Sequence, residues 1–113
     1  MKVILKQTNT LDGCIIWSLA LGQTYEVIGI EGDYYRIIDD TDDPVLFDTT
    51  CFDVVDILEP VFWKSFLEDG VRYAYPPEWQ RPGFFEDYHD YNEEVRRSFW
   101  QDHERYFGSQ SGQ

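Results

Sequence analysis

Four carboxylates crowd into five positions at Asp39-Asp-Thr-Asp-Asp43, and Pro44 follows at once. A helix–loop–helix calcium site needs glycine at its sixth position and closes on a glutamate at its twelfth. Pro44 and Thr50 stand at those positions, so the run reads as a solvated, acidic hairpin tip and no metal is expected. Cys14 and Cys51 form no CxxC and have no histidine nearby, which removes zinc spacing. His89 and His103 are the only histidines. No G-x-S-x-G surrounds a serine, and Gly29-x-x-Gly32 lacks the lysine and following helix of a phosphate loop. With no visible set of acid, base and nucleophile, the chain reads as a non-enzyme without a cofactor. A small hydrolase assembled from distant residues is the remotest alternative.

The positive signal is a mixture of acids and aromatic rings. The 113 residues carry 22 Asp+Glu against 9 Lys+Arg, a formal charge of −13, and 18% are aromatic. Disordered acidic chains lack large apolar side chains, so this composition points to a folded domain. Solubility alone needs a charge of only about 2–8 in magnitude, and the excess points to a basic protein partner. The same charge repels nucleic-acid phosphates and anionic lipid. Carboxylates steer a basic partner, while rings anchor it. Two surfaces combine both. The first is Asp39, Asp40, Asp42, Asp43 and Asp48 with Tyr34 and Tyr35; the second is Glu86, Asp87 and Asp90 with Phe84 and Phe85. The first has the charge for steering and the second the greater aromatic area. No apolar run approaches the roughly 18 residues of a membrane span. The opening Met1–Gln7 is too short for a signal peptide. With two thiols read as small buried hydrophobes, the expected compartment is the cytoplasm.

These side chains must be positioned by short strands. Lys2–Gln7 opens as a strand and Asn9–Gly13 turns; Tyr25–Ile30 alternates apolar and polar residues as one strand. Gly32-Asp33 is a tight hairpin signal leading into Tyr34–Asp39. Val45–Phe47, a helical turn capped by Asp48 or Thr49, and Val54–Leu58 complete a set covering residues 1–58. Residues 59–90 read as an extension: an edge strand or short helix at Val61–Phe66, a strand at Val71–Tyr75, and a proline-rich loop from Pro76 to Phe85 packed by its own rings. Residues 91–108 read as a helix from about Asn92 to Phe107. A capping box at Asp90–Glu93 precedes it, and Val95, Phe99, His103 and Tyr106 share one face. Residues 109–113 should fray. The whole is expected to be one domain, with the charge concentrated in residues 1–60, which hold 12 acidic and 3 basic side chains.

The order of turns and strands resembles a small bacterial SH3-like barrel. The likeness lies in Gly22-x-x-Tyr25-x-Val27-x-Gly29, Gly32–Ile38, Pro44–Phe47 and Phe52–Val55, about residues 20–58. It implies a mainly β fold: a small, partly open barrel with a C-terminal α-helix packed against it. In its acidity and size the chain is also similar to toxin-immunity proteins and phage-encoded inhibitors. That likeness implies occlusion of a basic toxin nuclease domain or of a nucleic-acid-binding defence protein. The alternative is an SH3-like peptide-recognition module, with Tyr34, Tyr35 and Trp79 lining a groove for a proline-rich ligand.

Overall fold

Tight turns separating short β-rich runs leave the first 76 residues few options besides antiparallel pairing. The computed structural model, which describes residues 1–108, shows eight strands there. They are β1 (Lys2–Leu5), β2 (Thr24–Glu26), β3 (Gly29–Glu31), β4 (Tyr34–Ile38), β5 (Pro44–Asp48), β6 (Phe52–Asp56), β7 (Lys64–Glu68) and β8 (Val71–Tyr75). The fold is mainly β. Its strands form a three-stranded sheet in the order β2-β1-β6 and a five-stranded sheet in the order β5-β4-β3-β8-β7. Every pairing is antiparallel, and the sheets do not close into a barrel.

Tyr25–Ile30 is not one strand. The chain leaves β2 at Glu26 and enters β3 at Gly29, switching sheets across Val27 and Ile28, which are both buried. Simple alternation cannot describe two consecutive inward residues. Val61–Phe66 resolves as an edge strand, shifted to Lys64–Glu68, which pairs with β8 through an Asp69-Gly70 turn. Asp69 and Gly70 both have positive φ, the requirement of a two-residue type I′ hairpin. A 3₁₀ turn at Thr49–Cys51 is capped by Asp48. Val3, Leu5, Ile30, Ile37, Phe47 and Phe52 lie at the centre of the apolar core between these strands.

A buried charge, Arg36, ties several of these strands together. Arg36 donates from Nε to the Tyr75 hydroxyl (2.9 Å), from one terminal nitrogen to the Pro44 carbonyl (2.9 Å) and from the other to Glu31 (2.9 Å). The Tyr75 hydroxyl donates in turn to Glu31 at 2.5 Å. The Tyr75 ring lies directly on the Gly29 backbone, where a Cβ would stand 2.0 Å from the ring.

By their contacts the residues fall into two compact units, Met1–Pro76 and Pro77–Gln113. In the second, the proline-rich stretch is more ordered than a loop: a 3₁₀ turn at Pro77–Trp79 and a short helix α1 (Phe84–His89) precede α2 (Glu93–His103). A π-helical turn at Glu104–Gly108 continues α2. Asn92 is the cap, its side chain accepting from the Val95 N–H at 3.1 Å, two residues later than the Asp90 frame. Trp79, Phe85, Tyr88 and Phe99 pack as rings, with Trp79 and Phe99 centroids 4.6 Å apart. Ser109–Gln113, expected to fray, lie outside the described residues.

Two substitutions test this packing by urea unfolding. Phe99 is 0% exposed, and Phe99→Ala should cost about 3–5 kcal/mol; a midpoint equal to that of the unsubstituted chain would mean that the α2 stripe is not a core face. Arg36→Ala removes the donors to Tyr75, Pro44 and Glu31 but leaves the half-buried Glu31 bonded to the Tyr75 hydroxyl, and should cost about 1.5–3 kcal/mol, as loss of hydrogen bonds from a charged group does.

Candidate functional site

Between β1 and β2 the chain has no long strand to join, so it folds on local hydrogen bonds. The Thr10 N–H donates to the Cys14 carbonyl at 2.9 Å, the Ile16 N–H to the Thr8 carbonyl at 2.8 Å, and Gly13 takes a positive φ. The Thr10 hydroxyl donates to Asp12. Across from this turn stand the end of β5 and its 3₁₀ turn. Asp48 joins the two: one oxygen accepts from the Thr50 N–H (3.0 Å) and hydroxyl (2.8 Å), and the other accepts from the Leu11 N–H (3.3 Å). The space between them is a cleft of about 710 Å³, extending from Asp33 and Tyr34 to the β4–β5 turn.

Five carboxylates line the cleft, those of Asp12, Asp33, Asp39, Asp43 and Asp48, and no lysine or arginine does. Apolar side chains stand beside them. Trp17 is 79% exposed, Leu11 80%, Ile15 66% and Tyr34 49%. Scattered exposed apolar residues are ordinary, whereas these four line one concavity together. Of Ile15-Ile16-Trp17, only Ile16 turns into the core. Trp17 is the largest of the lining residues that sequence reasoning passed over, among them Leu11, Asp12, Ile15 and Asp33. The available signal was an apolar run too short for a strand, set between turns that hold it at the surface.

The acidic turn is less exposed than its composition implied. Asp39 is only 6% exposed. Its Oδ1 accepts from the Thr41 N–H (2.9 Å), the Thr41 hydroxyl (2.7 Å) and the Asp43 N–H (3.0 Å). Burial alone would push this carboxyl up, but those bonds, with a further one from the Ser18 side chain, outweigh it and hold the pKa below the ordinary 3.8. The bonds from Thr50 likewise hold Asp48 below 3.8. Asp40 is exposed and accepts from the Tyr25 hydroxyl at 3.3 Å, and Asp42 is exposed at a positive φ. Of the first expected surface, Tyr34, Asp39, Asp43 and Asp48 come together in the cleft lining. Tyr35 is half-buried and packs edge-on against Phe52 at 5.8 Å.

The second expected surface lies in the helical unit. Phe84 and Phe85 are buried there with centroids 5.1 Å apart, as core rings rather than anchors. Asp87 is paired with Arg81 at 3.0 Å, and Glu86 and Asp90 are exposed. Trp79, expected to line a peptide groove, is 2% exposed and donates to Asp102 at 3.3 Å. Cys14 and Cys51 are free thiols: Cys51 is buried as expected, whereas Cys14, expected to be buried, stands exposed on its turn. Among the described residues no group of His, Cys, Asp and Glu is placed to hold a metal ion, and no helix is long and apolar enough to cross a membrane. Neither the family models, the curated proteins nor the solved structures give a match to this chain.

Asp39 therefore holds the turn it stands on. Asp39→Ala should cost about 1–3 kcal/mol by removing the charged acceptor that the Thr41 and Asp43 donors share. A carboxyl whose folded pKa lies below its unfolded value stabilises fully above the unfolded value, and that share is lost as pH falls toward the folded one. Between about pH 5 and about pH 3 the unsubstituted chain should thus lose more stability than Asp39→Asn. Parallel urea midpoints across that range would assign Asp39 no such part.

Proposed function

We propose that the chain is a non-enzymatic binding protein that inhibits a basic protein partner by occluding its functional surface. The observation that carries this reading is the cleft with five carboxylates, no basic side chain, and Trp17, Leu11, Ile15 and Tyr34 exposed at its margin. Charge of one sign in a concavity focuses the field and raises the encounter rate with a cationic surface. Exposed tryptophan and tyrosine supply area at low entropy cost once contact is made. A surface that holds nucleic-acid phosphate must itself be positive. The partners best matched are therefore the nuclease domain of a toxin, which would make this an immunity protein, or a nucleic-acid-binding defence protein, which would make it a phage-type inhibitor. The cytoplasm is the compartment where either would act.

The cleft volume also suits a short segment of chain, which supports the second reading, a module that recognises an arginine-bearing peptide. In that case Tyr34 and Trp17 would line the groove, in place of the Tyr34–Tyr35–Trp79 set.

A panel of basic toxin nuclease domains, assayed for cleavage of RNA and DNA with the chain present, tests the proposal. Inhibition of one domain is expected, with association slowing steeply as salt rises. Trp17→Ala should weaken that complex by about 2 kcal/mol or more, as loss of an interface anchor does, with little change in folding stability. Binding confined to short arginine-bearing peptides would select the module instead. Inhibition that neither salt nor Trp17→Ala alters would remove the cleft as the docking site.

A further inference from the structure

β7 forms one edge of the five-stranded sheet: it pairs with β8, and no described strand lies on its other side. All five of its residues, Lys64-Ser-Phe-Leu-Glu68, are exposed. An exposed edge strand is a template for further pairing unless something blocks it.

The hairpin geometry fixes which backbone groups the edge offers. In a two-residue type I′ hairpin the residues flanking the turn exchange both backbone bonds, and hydrogen-bonded pairs then alternate along the ladder. Glu68 therefore bonds to Val71, Phe66 to Tyr73 and Lys64 to Tyr75, following the observed register. The N–H and carbonyl groups of Ser65 and Leu67 point away from β8, toward the open side.

We propose that β7 pairs antiparallel with β7 of a second copy, about a two-fold axis through Phe66. In that register Ser65 of each copy lies opposite Leu67 of the other, and these are the residues with outward backbone groups. Phe66 meets its own copy as a non-hydrogen-bonded pair, where side chains approach most closely. Lys64 lies opposite Glu68 of the second copy at both ends, so the strand's charges complement those of its own reverse. Phe66 already stacks on Tyr73 at 5.2 Å and would extend that apolar surface across the axis.

The other edges lack this complementarity. β6 carries Asp53 and Asp56 and no base, so self-pairing would set acid against acid. β5 opens on Pro44, which has no N–H to give. β2 carries Glu26 as its only charge. Of these edges only β7 carries both signs, so only its self-pairing sets opposite charges across from each other.

A five-residue edge buries less than the roughly 1,200 Å² of a stable complex, so the dimer is a weak one. Sedimentation velocity from about 10 μM to about 1 mM, in about 0.3 M salt to screen the net negative charge, spans the affinities of such interfaces. A concentration-dependent shift toward dimer is expected. Lys64→Glu and Glu68→Lys should each weaken association about tenfold by setting like charges opposite, and the double variant K64E/E68K should restore it. Leu67→Pro removes an outward N–H that β8 does not use, and should abolish the dimer while circular dichroism stays unchanged. A monomer throughout the range, or association unaltered in both Lys64→Glu and Leu67→Pro, would overturn the proposal.

Discussion

The five-stranded sheet depends on a guanidinium that water does not reach. Arg36 is 6% exposed, and removing such a charge from water costs several kcal/mol unless its donors are all met. Here each of its three nitrogens donates, to a tyrosine from β8, a carbonyl at the start of β5 and a carboxylate on β3. The bonds thus tie together three strands besides its own. Each is register-specific, since a one-residue slip would turn Arg36 to the opposite face. Burial pushes the Tyr75 phenol far above its ordinary pKa, so it stays protonated and can donate to Glu31. Gly29 is the necessary complement, because any side chain there would meet the Tyr75 ring. An apolar residue at position 36 would avoid the desolvation cost but would specify the register less sharply.

That register sets the dimensions of the cleft. Asp33 and Tyr34 come from the β3–β4 turn and the start of β4, and Asp39 and Asp43 flank the turn at its far end. Collecting five like charges in one concavity is unfavourable in itself. The fold offsets this locally: Asp39, Asp48 and Asp12 each accept bonds from neighbouring backbone and hydroxyl groups. A carboxylate held by its own turn is fixed in direction, so little of its side-chain entropy would be lost on binding the proposed cationic partner. The same bonds that make the turns stable therefore pre-arrange the charge.

Most strands were legible because turn residues bracket them. Gly32-Asp33 and Asp69-Gly70 carry backbone preferences that hold before any tertiary contact forms. The crossing at Val27–Ile28 was not legible, because its two buried residues are set by which sheet each neighbour joins. Nor was the burial of Arg36, since its partners lie 5, 8 and 39 residues away in the chain. In the helical unit, the prolines before Phe84 hid the start of α1. Gly83 there adopts a left-handed φ of 78° that lets a helix begin at the next residue. Of the site, the acids were visible as composition, but their convergence was not. Asp12 and Asp48 are brought together only when the first turn docks on the β5 end.

The rings show why composition misleads about interfaces. Aromatic density is highest between Trp79 and Phe107, yet the central rings there sit within contact distance of one another and close a core. A small helical unit has few other residues large enough to fill its centre, so its aromatics are consumed by packing. Trp17 differs because of its backbone. Hydrogen bonds within residues 8–16 and the Asp48–Leu11 contact fix the preceding turn, and the Asp40 N–H binds the Ser18 carbonyl at 2.9 Å. Ile16 and Ser18 on either side are buried. With both neighbours turned inward and the backbone held, the Trp17 side chain has no route to the core. An indole kept in water by its own chain gains most by leaving it, and in the proposed complex the carboxylates beside it would select a basic surface to take it up.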